Sequence, residues 1–343
     1  MPKIDSNASH DFVFALLHGR WARAVRGATL NRLLNSGTVE ALQQALRSMG
    51  LNGANRETFH KELRIRELGI LAEVAGLLGG GAGVFYRSLI ACAHYENLKT
   101  LLHCRFLPEE SQTNPEAMLL QAEGLPVLNS QAILSQPTLA SFLSAIPDFP
   151  GLDKERLTVI VTRFAEDHDI MLLECALDRM RAAHAHRAAK AAPLAFARQA
   201  QELNGLRIDI LNLDMLLRNM QTYHFDGARM AEVWLPGGSA LSETLLDSLV
   251  GKKSEEILAV LPRAFQRVLE PLAGQPLYQS ERALWNLLCH LANQMFMDLG
   301  EPNSTIPAYP VLLHFESLNI SRIYEGVHFG LPSRELQEMM IGG

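Results

Sequence analysis

Residues 309–340, YPVLLHFESLNISRIYEGVHFGLPSRELQEMM, set the strongest constraint on the fold. Leu312, Phe315 and Ile323 fall at helical spacing and form one apolar stripe, and Asn319 sits on that stripe. An amide among hydrocarbon must find hydrogen-bond partners, so Asn319 is a specific structural demand. Gly326 and Gly330 offer helix stops, and Pro332-Ser333 opens a short final helix. The pattern Asn-(Leu/Ile)-x-x-(Leu/Ile) occurs at Asn97–Leu101, Asn212–Leu216 and Asn319–Ile323, with asparagines 115 and 107 residues apart. Three copies at nearly equal intervals predict three related helical lobes, at 1–115, 116–235 and 236–343.

A chain of 343 residues exceeds the size at which one core stops growing, which also favours two or three subdomains. Period-two alternation of β-branched residues is almost absent, so the fold class expected is all-α. A formal net charge of −6 gives no electrostatic case for nucleic acid. Cys92, Cys104, Cys175 and Cys289 form no CxxC pair, and no secretory leader precedes them, so they read as reduced, mostly buried thiols of a cytoplasmic protein. The uncharged run 124–147 is long enough to cross a bilayer but carries three prolines and several polar residues, and reads as short buried helices.

In chain order, Phe14, Leu17, Trp21, Val25 and Ala28 predict one amphipathic helix over about 11–34. A short helix follows over 39–49, and Asn55 precedes a long stripe ending at Gly79-Gly80-Gly81. One further helix is expected to carry Ile90, Asn97 and Leu101. Leu157, Ile160, Phe164, Met171 and Cys175 predict a helix of about seven turns from Leu152 onward. Pro193 marks a boundary before the helix bearing Asn212, and Trp234-Leu235-Pro236-Gly237-Gly238 is a turn followed by a cap at Ser239 or Ser242. Helices near 241–250, over 254–272 and through Leu284–Met295 complete the chain.

Chemistry is sparse. Glu57-x-x-His60 spells half of a di-iron motif, but no second copy exists, and a helix start is preferred. His168-Asp169 is the dipeptide of metal-dependent phosphohydrolases; one dipeptide lacks the remaining ligands, and a hydrogen-bonded core histidine is the simpler reading. His184-x-His186 reads as a solvated helix end, and the glycines at 79–83 lack the Lys-Ser/Thr of a phosphate loop. Residues 179–198 hold five Lys or Arg and no acid, a pattern that fits one exposed helix face or, alternatively, a surface for an acidic partner or lipid headgroups. No catalytic set, cofactor site or metal site is assembled, and the alternative kept from the residues is an all-α metal-dependent phosphohydrolase built on His168, Asp169 and a histidine from another lobe.

Taken together, the motifs resemble the C-subunit family of V-type (A-type) ATP synthases, whose vacuolar ATPase equivalent is the d subunit. The resemblance rests on the Arg-rich opening helix around Ala22–Arg26, on Asp209, Asn212, Arg218 and Leu235-Pro236-Gly237-Gly238, and on Tyr309, Glu316, Asn319, Ile320, Arg322, Ile323 and Phe329–Pro332. In the first copy His94 replaces the family's usual Asp, with Glu96 nearby, so the acid–amide contact is in question there. The resemblance implies a pseudo-threefold, funnel-like arrangement of three lobes and a non-catalytic central-stalk adaptor. Its partners would be the D and F subunits of the central shaft and the membrane proteolipid rotor ring, with neither nucleic acid nor a small-molecule substrate. It would lie in the cytoplasm, attached peripherally to the membrane through the ring. The eight residues expected to carry the repeat are Glu96, Asn97, Asp209, Asn212, Arg218, Glu316, Asn319 and Arg322.

Overall fold

The structure, a computed structural model, describes residues 6–106, 115–122, 125 and 127–342, with the side chains of 6–9, 57, 117 and 167 excepted. Every regular element among them is helical, as the absence of alternation predicts. No helix among the described residues is long and apolar enough to cross a membrane.

The expected opening helix is two. α1 (Ser6–Trp21) ends before Gly27, whose φ of 52° lies in the left-handed region, and α2 (Ala28–Leu34) starts afresh. The stripe stays in phase across the break, which is why periodicity alone misses it. α3 (Val39–Ser48) is capped by Thr38, whose hydroxyl accepts from Ala41 N at 3.2 Å. α4 (Arg56–Leu78) begins directly after Asn55 and stops at Gly79. Ile90 and Asn97 lie on separate helices, α5 (Gly80–Ala91) and α6 (Ala93–Phe106). The four-residue α7 (Pro115–Met118) follows, then α8 (Ser130–Leu134) and α9 (Leu139–Ala145), short helices as expected of that segment.

The predicted seven-turn helix is also broken. α10 (Lys154–Asp167) ends at His168, which adopts the left-handed conformation (φ 55°) as its C-cap, and Asp169 caps α11 (Ile170–Lys190). α12 (Ala197–Arg218) runs into one π-helical turn over Asn219–Tyr223. After it come α13 (Gly227–Val233) and α14 (Glu243–Leu249), the latter capped by Ser242 rather than Ser239. Pro262 divides the expected 254–272 helix into α15 (Ser254–Val260) and α16 (Arg263–Leu269). α17 (Leu277–Met297), α18 (Thr305–His328) and α19 (Ser333–Met339) close the chain. Gly326 does not stop α18; the glycine instead admits Leu336 of α19, since a Cβ there would lie 2.0 Å from Leu336 Cδ2.

The chain divides into two compact units. The first comprises 1–83, 193–203 and 263–343, the second 84–192 and 204–262. In the first, Leu33, Leu42, Leu46, Phe59 and Leu63 pack with Ile320, Ile323, Tyr324 and Leu336. Phe59 and Tyr324 stack at 3.8 Å between ring centroids, and the Tyr324 hydroxyl donates to Gly53 O at 3.0 Å. In the second, Leu98, Leu101 and Leu102 of α6 pack with Leu119, Phe142, Leu157, Val161, Phe164 and Leu177.

Candidate functional site

The three asparagines make the same pair of bonds. Asn97, Asn212 and Asn319 are all buried. Asn97 Nδ2 donates to Leu120 O at 2.9 Å, and Leu120 N donates to Asn97 Oδ1 at 2.7 Å. Asn212 does the same with Leu235, at 2.9 and 2.7 Å. Asn319 does the same with Ile341, at 2.8 and 3.0 Å. The intervals along the chain are 23, 23 and 22 residues. A primary amide is the one uncharged side-chain group that presents a donor and an acceptor side by side, as a peptide edge does. It thereby satisfies both backbone groups of a single residue, buried at Leu120 and Ile341 and partly buried at Leu235.

The clasped residue has the same setting each time. A short helix, α7, α13 or α19, ends within two residues of it. The residue just before it is a buried apolar one: Leu119, Trp234 or Met340. Trp234 (φ −57°, ψ 132°) and Met340 (φ −70°, ψ 145°) share a backbone conformation. So the long helix holds, through one amide, the strand-like exit of the short helix that follows it. In the second and third copies an arginine adds to this. Arg322 Nη1 donates to Met339 O at 2.7 Å, and Arg179 Nη1 donates to Trp234 O and, at 3.2 Å, to Ala231 O. Each guanidinium thus covers the open carbonyl end of its short helix.

Three residues before each asparagine the copies diverge. Asp209 is fully buried and accepts from Ser239 N (3.0 Å), Ser239 Oγ (2.9 Å), Ala240 N (2.8 Å) and Leu241 N (3.0 Å). Burial pushes its pKa above the usual carboxylate value, against those four donors, which favour the ionised form. Gly238 lies against it, where a Cβ would stand 2.2 Å from Asp209 Oδ1. Glu316 Oε1 accepts from Val25 N at 3.0 Å and has Arg66 Nη2 at 3.8 Å. In place of an acid the first copy has His94, buried and stacked on Phe149 at 4.6 Å. Burial, with His184 nearby, lowers its pKa to about 4, so the ring is neutral. Glu96 is half-buried, one residue from Asn97 and so about 100° round the helix. Arg218 pairs with Asp214 one turn before it, at 2.8 Å.

Other candidates have structural roles. His168 is an exposed helix cap rather than a core histidine, its N–H donating to Phe164 O at 2.8 Å. Asp169 accepts from Leu172 N at 3.1 Å and from Arg229 Nη2. His184 is buried within α11 rather than on a solvated helix end, and a Cβ on Gly151 would lie 2.4 Å from its Nδ1. His60 Nδ1 meets Ser321 Oγ at 2.8 Å, and its Nε2 meets Glu325 Oε1 at 2.7 Å. The side chain of Glu57 lies outside the described residues. No group of three or more His, Cys, Asp or Glu able to hold a metal occurs among the described residues. The four cysteines are free thiols, two buried and two half-buried. Of the basic stretch, Arg179 is committed to carbonyls and Arg181 to Asp178 at 3.1 Å.

Compared with known families, residues 13–339 match the model of the ATP synthase (C/AC39) subunit. The chain belongs to that family. The match covers nearly the whole length and agrees with the resemblance drawn from the motifs. No curated protein matches the chain. The C/AC39 family is defined as one component of an ATP synthase, and in this member the repeated asparagines are the residues whose geometry recurs. Of the groups that complete the clasps, Leu235 is marked in the sequence by its Pro-Gly-Gly turn, whereas Leu120, Ile341 and Arg179 are not. The available signal was an apolar pair, Leu119-Leu120, Trp234-Leu235 or Met340-Ile341, at a nearly constant offset from each asparagine.

Proposed function

We propose that this C/AC39 family member is the non-catalytic central-stalk adaptor of a rotary V-type ATP synthase or ATPase. It joins the central shaft, made of the D and F subunits, to the proteolipid rotor ring and passes torque between them. It sits in the cytoplasm and is held at the membrane through the ring. The chain is built as three related lobes, 1–115, 116–235 and 236–343, arranged as a funnel about a pseudo-threefold axis. The observation that carries this reading is the asparagine clasp, which recurs three times at one spacing and one geometry.

A torque coupler needs stiffness, and helices packed at interior density supply it. The clasps hold the backbone at the exits of short helices, where intrahelical hydrogen bonds have run out. The polar groups recurring from lobe to lobe therefore serve to hold backbone in place rather than to meet a substrate. The test is purification of the membrane complex through a tag on the rotor ring. This chain is expected to co-purify with the D and F subunits, and its depletion should leave ATP hydrolysis by the soluble head intact while ion pumping stops. Pumping that survives depletion would overturn the proposal.

A further inference from the structure

Residues 147–152, PDFPGL, join α9 to α10 and lie against α6 and α11 of the same unit. They are anchored at both ends, by the buried Ile146 and by Asp153, which caps α10. Two histidines meet the segment from the two helices. His94 of α6 stacks on Phe149, with centroids 4.6 Å apart and 20° between the planes. His184 of α11 lies under Gly151, where a Cβ would stand 2.4 Å from its Nδ1. Gly151 also has φ 92°, in the left-handed region, so neither backbone nor space favours another residue there. Tyr95 completes the seat: its ring meets Phe149 edge-on at 5.3 Å, and its hydroxyl donates to Gly151 O at 2.7 Å. His94, Tyr95 and His184 are buried, whereas Phe149 and Gly151 are half-buried. The segment is a thin cover over two imidazoles.

The surroundings disfavour a proton on either ring. Burial acts against the charged form of both; His184 adds repulsion at His94, and Arg187 adds it at His184. From α5 the Ser88 carbonyl favours a charged His184 but is outweighed, and the neighbouring Cys92 thiol donates to that carbonyl at 3.5 Å. On α11, Arg181 pairs with Asp178 at 3.1 Å, and Asp178 also holds Lys99 of α6 at 2.9 Å. Glu96, two residues after His94, stands about 200° round α6. The acids flanking Phe149 are engaged elsewhere: Asp148 pairs with Lys154 at 3.0 Å, and Asp153 accepts from Arg156 N at 2.9 Å. Lifting the cover lets water reach the rings and solvate a proton. It costs the Phe149 stack and the Tyr95 bond, while the Lys99–Asp178 pair keeps α6 on α11.

We infer that residues 147–152 are an acid-released strap: protonation of the His94–His184 pair lifts Phe149 and Gly151 off α6 and α11 while the rest of the unit stays folded. One proton suffices, because a charge on one ring makes the second harder to add. Pro147 and Pro150 stiffen the segment, so it swings as a piece. The device belongs to the chain by itself and does not depend on a place in a rotary complex.

The test is hydrogen exchange of the full chain at about pH 7 and about pH 5, corrected for the intrinsic pH dependence of exchange. The reporter is the Leu152 amide, which donates to Phe149 O at 3.1 Å. It is expected to exchange about tenfold or more faster than the amide of Leu213, buried within α12 of the same unit, which marks its opening as local. With His94 at about 4 under the strap and at the ordinary 6.5 once open, Leu152 protection should fall about twentyfold over that pH range. In H94Q/H184Q the fall should shrink to about twofold or less. Exchange of the histidine C2 hydrogens in the unaltered chain needs no substitution, and both rings should titrate below the ordinary histidine value. Equal Leu152 protection at the two pH values, protection as strong as that of Leu213, or a fall as large in the double variant as in the unaltered chain would overturn the inference. Ordinary titration of both rings would do so as well, whether or not the double variant folds.

Discussion

Each clasp depends on a single amide that offers a donor and an acceptor to one residue's backbone. Asn319→Leu keeps the volume and removes both bonds, leaving the N–H and C=O of Ile341 buried and unpaired. The expected cost is about 1–3 kcal/mol, read as a shift in the urea midpoint with unchanged slope. An unchanged midpoint would mean that the bonds are replaced by water. The residue three places earlier contributes differently in each copy, and His94 makes that difference visible in pH. Its folded pKa of about 4 lies below the ordinary value of 6.5, because burial disfavours the charged ring. Between those values the unfolded chain binds a proton that the folded one does not, so stability is full above pH 6.5 and falls as the pH drops toward 4. The loss attributable to this ring is of order 2–3 kcal/mol at pH 4. Denaturation of wild type and His94→Gln at about pH 7 and about pH 4.5 checks it: the substitution should remove part of the acid sensitivity.

Among the elements, helix type and most helix positions follow directly from apolar periodicity. The breaks do not. α1 and α2, α5 and α6, and α10 and α11 were each legible as a single stripe; a glycine between the first pair and a left-handed histidine between the last end a helix without shifting the phase of the next, and at Cys92, between α5 and α6, the sequence carries no breaker at all. His168 illustrates the limit: its place one turn after Phe164 suggests a core position, whereas a left-handed φ turns it outward to cap α10. The asparagines were legible for the opposite reason, since an amide on an apolar stripe has few explanations. Of their partners only Leu235 was, through its Pro-Gly-Gly turn, because a backbone acceptor has no residue signature of its own and Leu120 and Ile341 are marked by the recurring apolar pairs alone. The clasp links α18 to the exit of α19, so removing residues 341–343 should act on the same interaction as Asn319→Leu. The two changes together should therefore cost less than the sum of each alone, by about 1 kcal/mol or more in a double-mutant cycle. Strict additivity would mean that Asn319 stabilises through some other contact.

At the scale of the whole molecule, sequence order and structural grouping differ. Residues 193–203 belong with 1–83 and 263–343, although the chain on either side belongs to the other unit. Phe196, Ala200 and Leu203 are buried in that stretch. A fragment spanning 84–262 carries two complete clasps but leaves those three residues without their unit. Hydrogen exchange is expected to show protection at Leu120 and Leu235 in the fragment as in the full chain, with protection lost across 196–203. Equal protection of 196–203 in both would contradict the division. The clasps themselves span only 22 or 23 residues each, and short closures form early because little chain entropy is spent on them. During synthesis, then, Asn97 can reach Leu120 before the segment that carries Asn212 and Leu235 is complete, and Asn212 can reach Leu235 before the segment that carries Asn319 and Ile341 is. Asn319 must wait for Ile341, so the segment with the most buried helix is the last of the three to be secured, and a chain cut short before residue 341 is held at two points out of three.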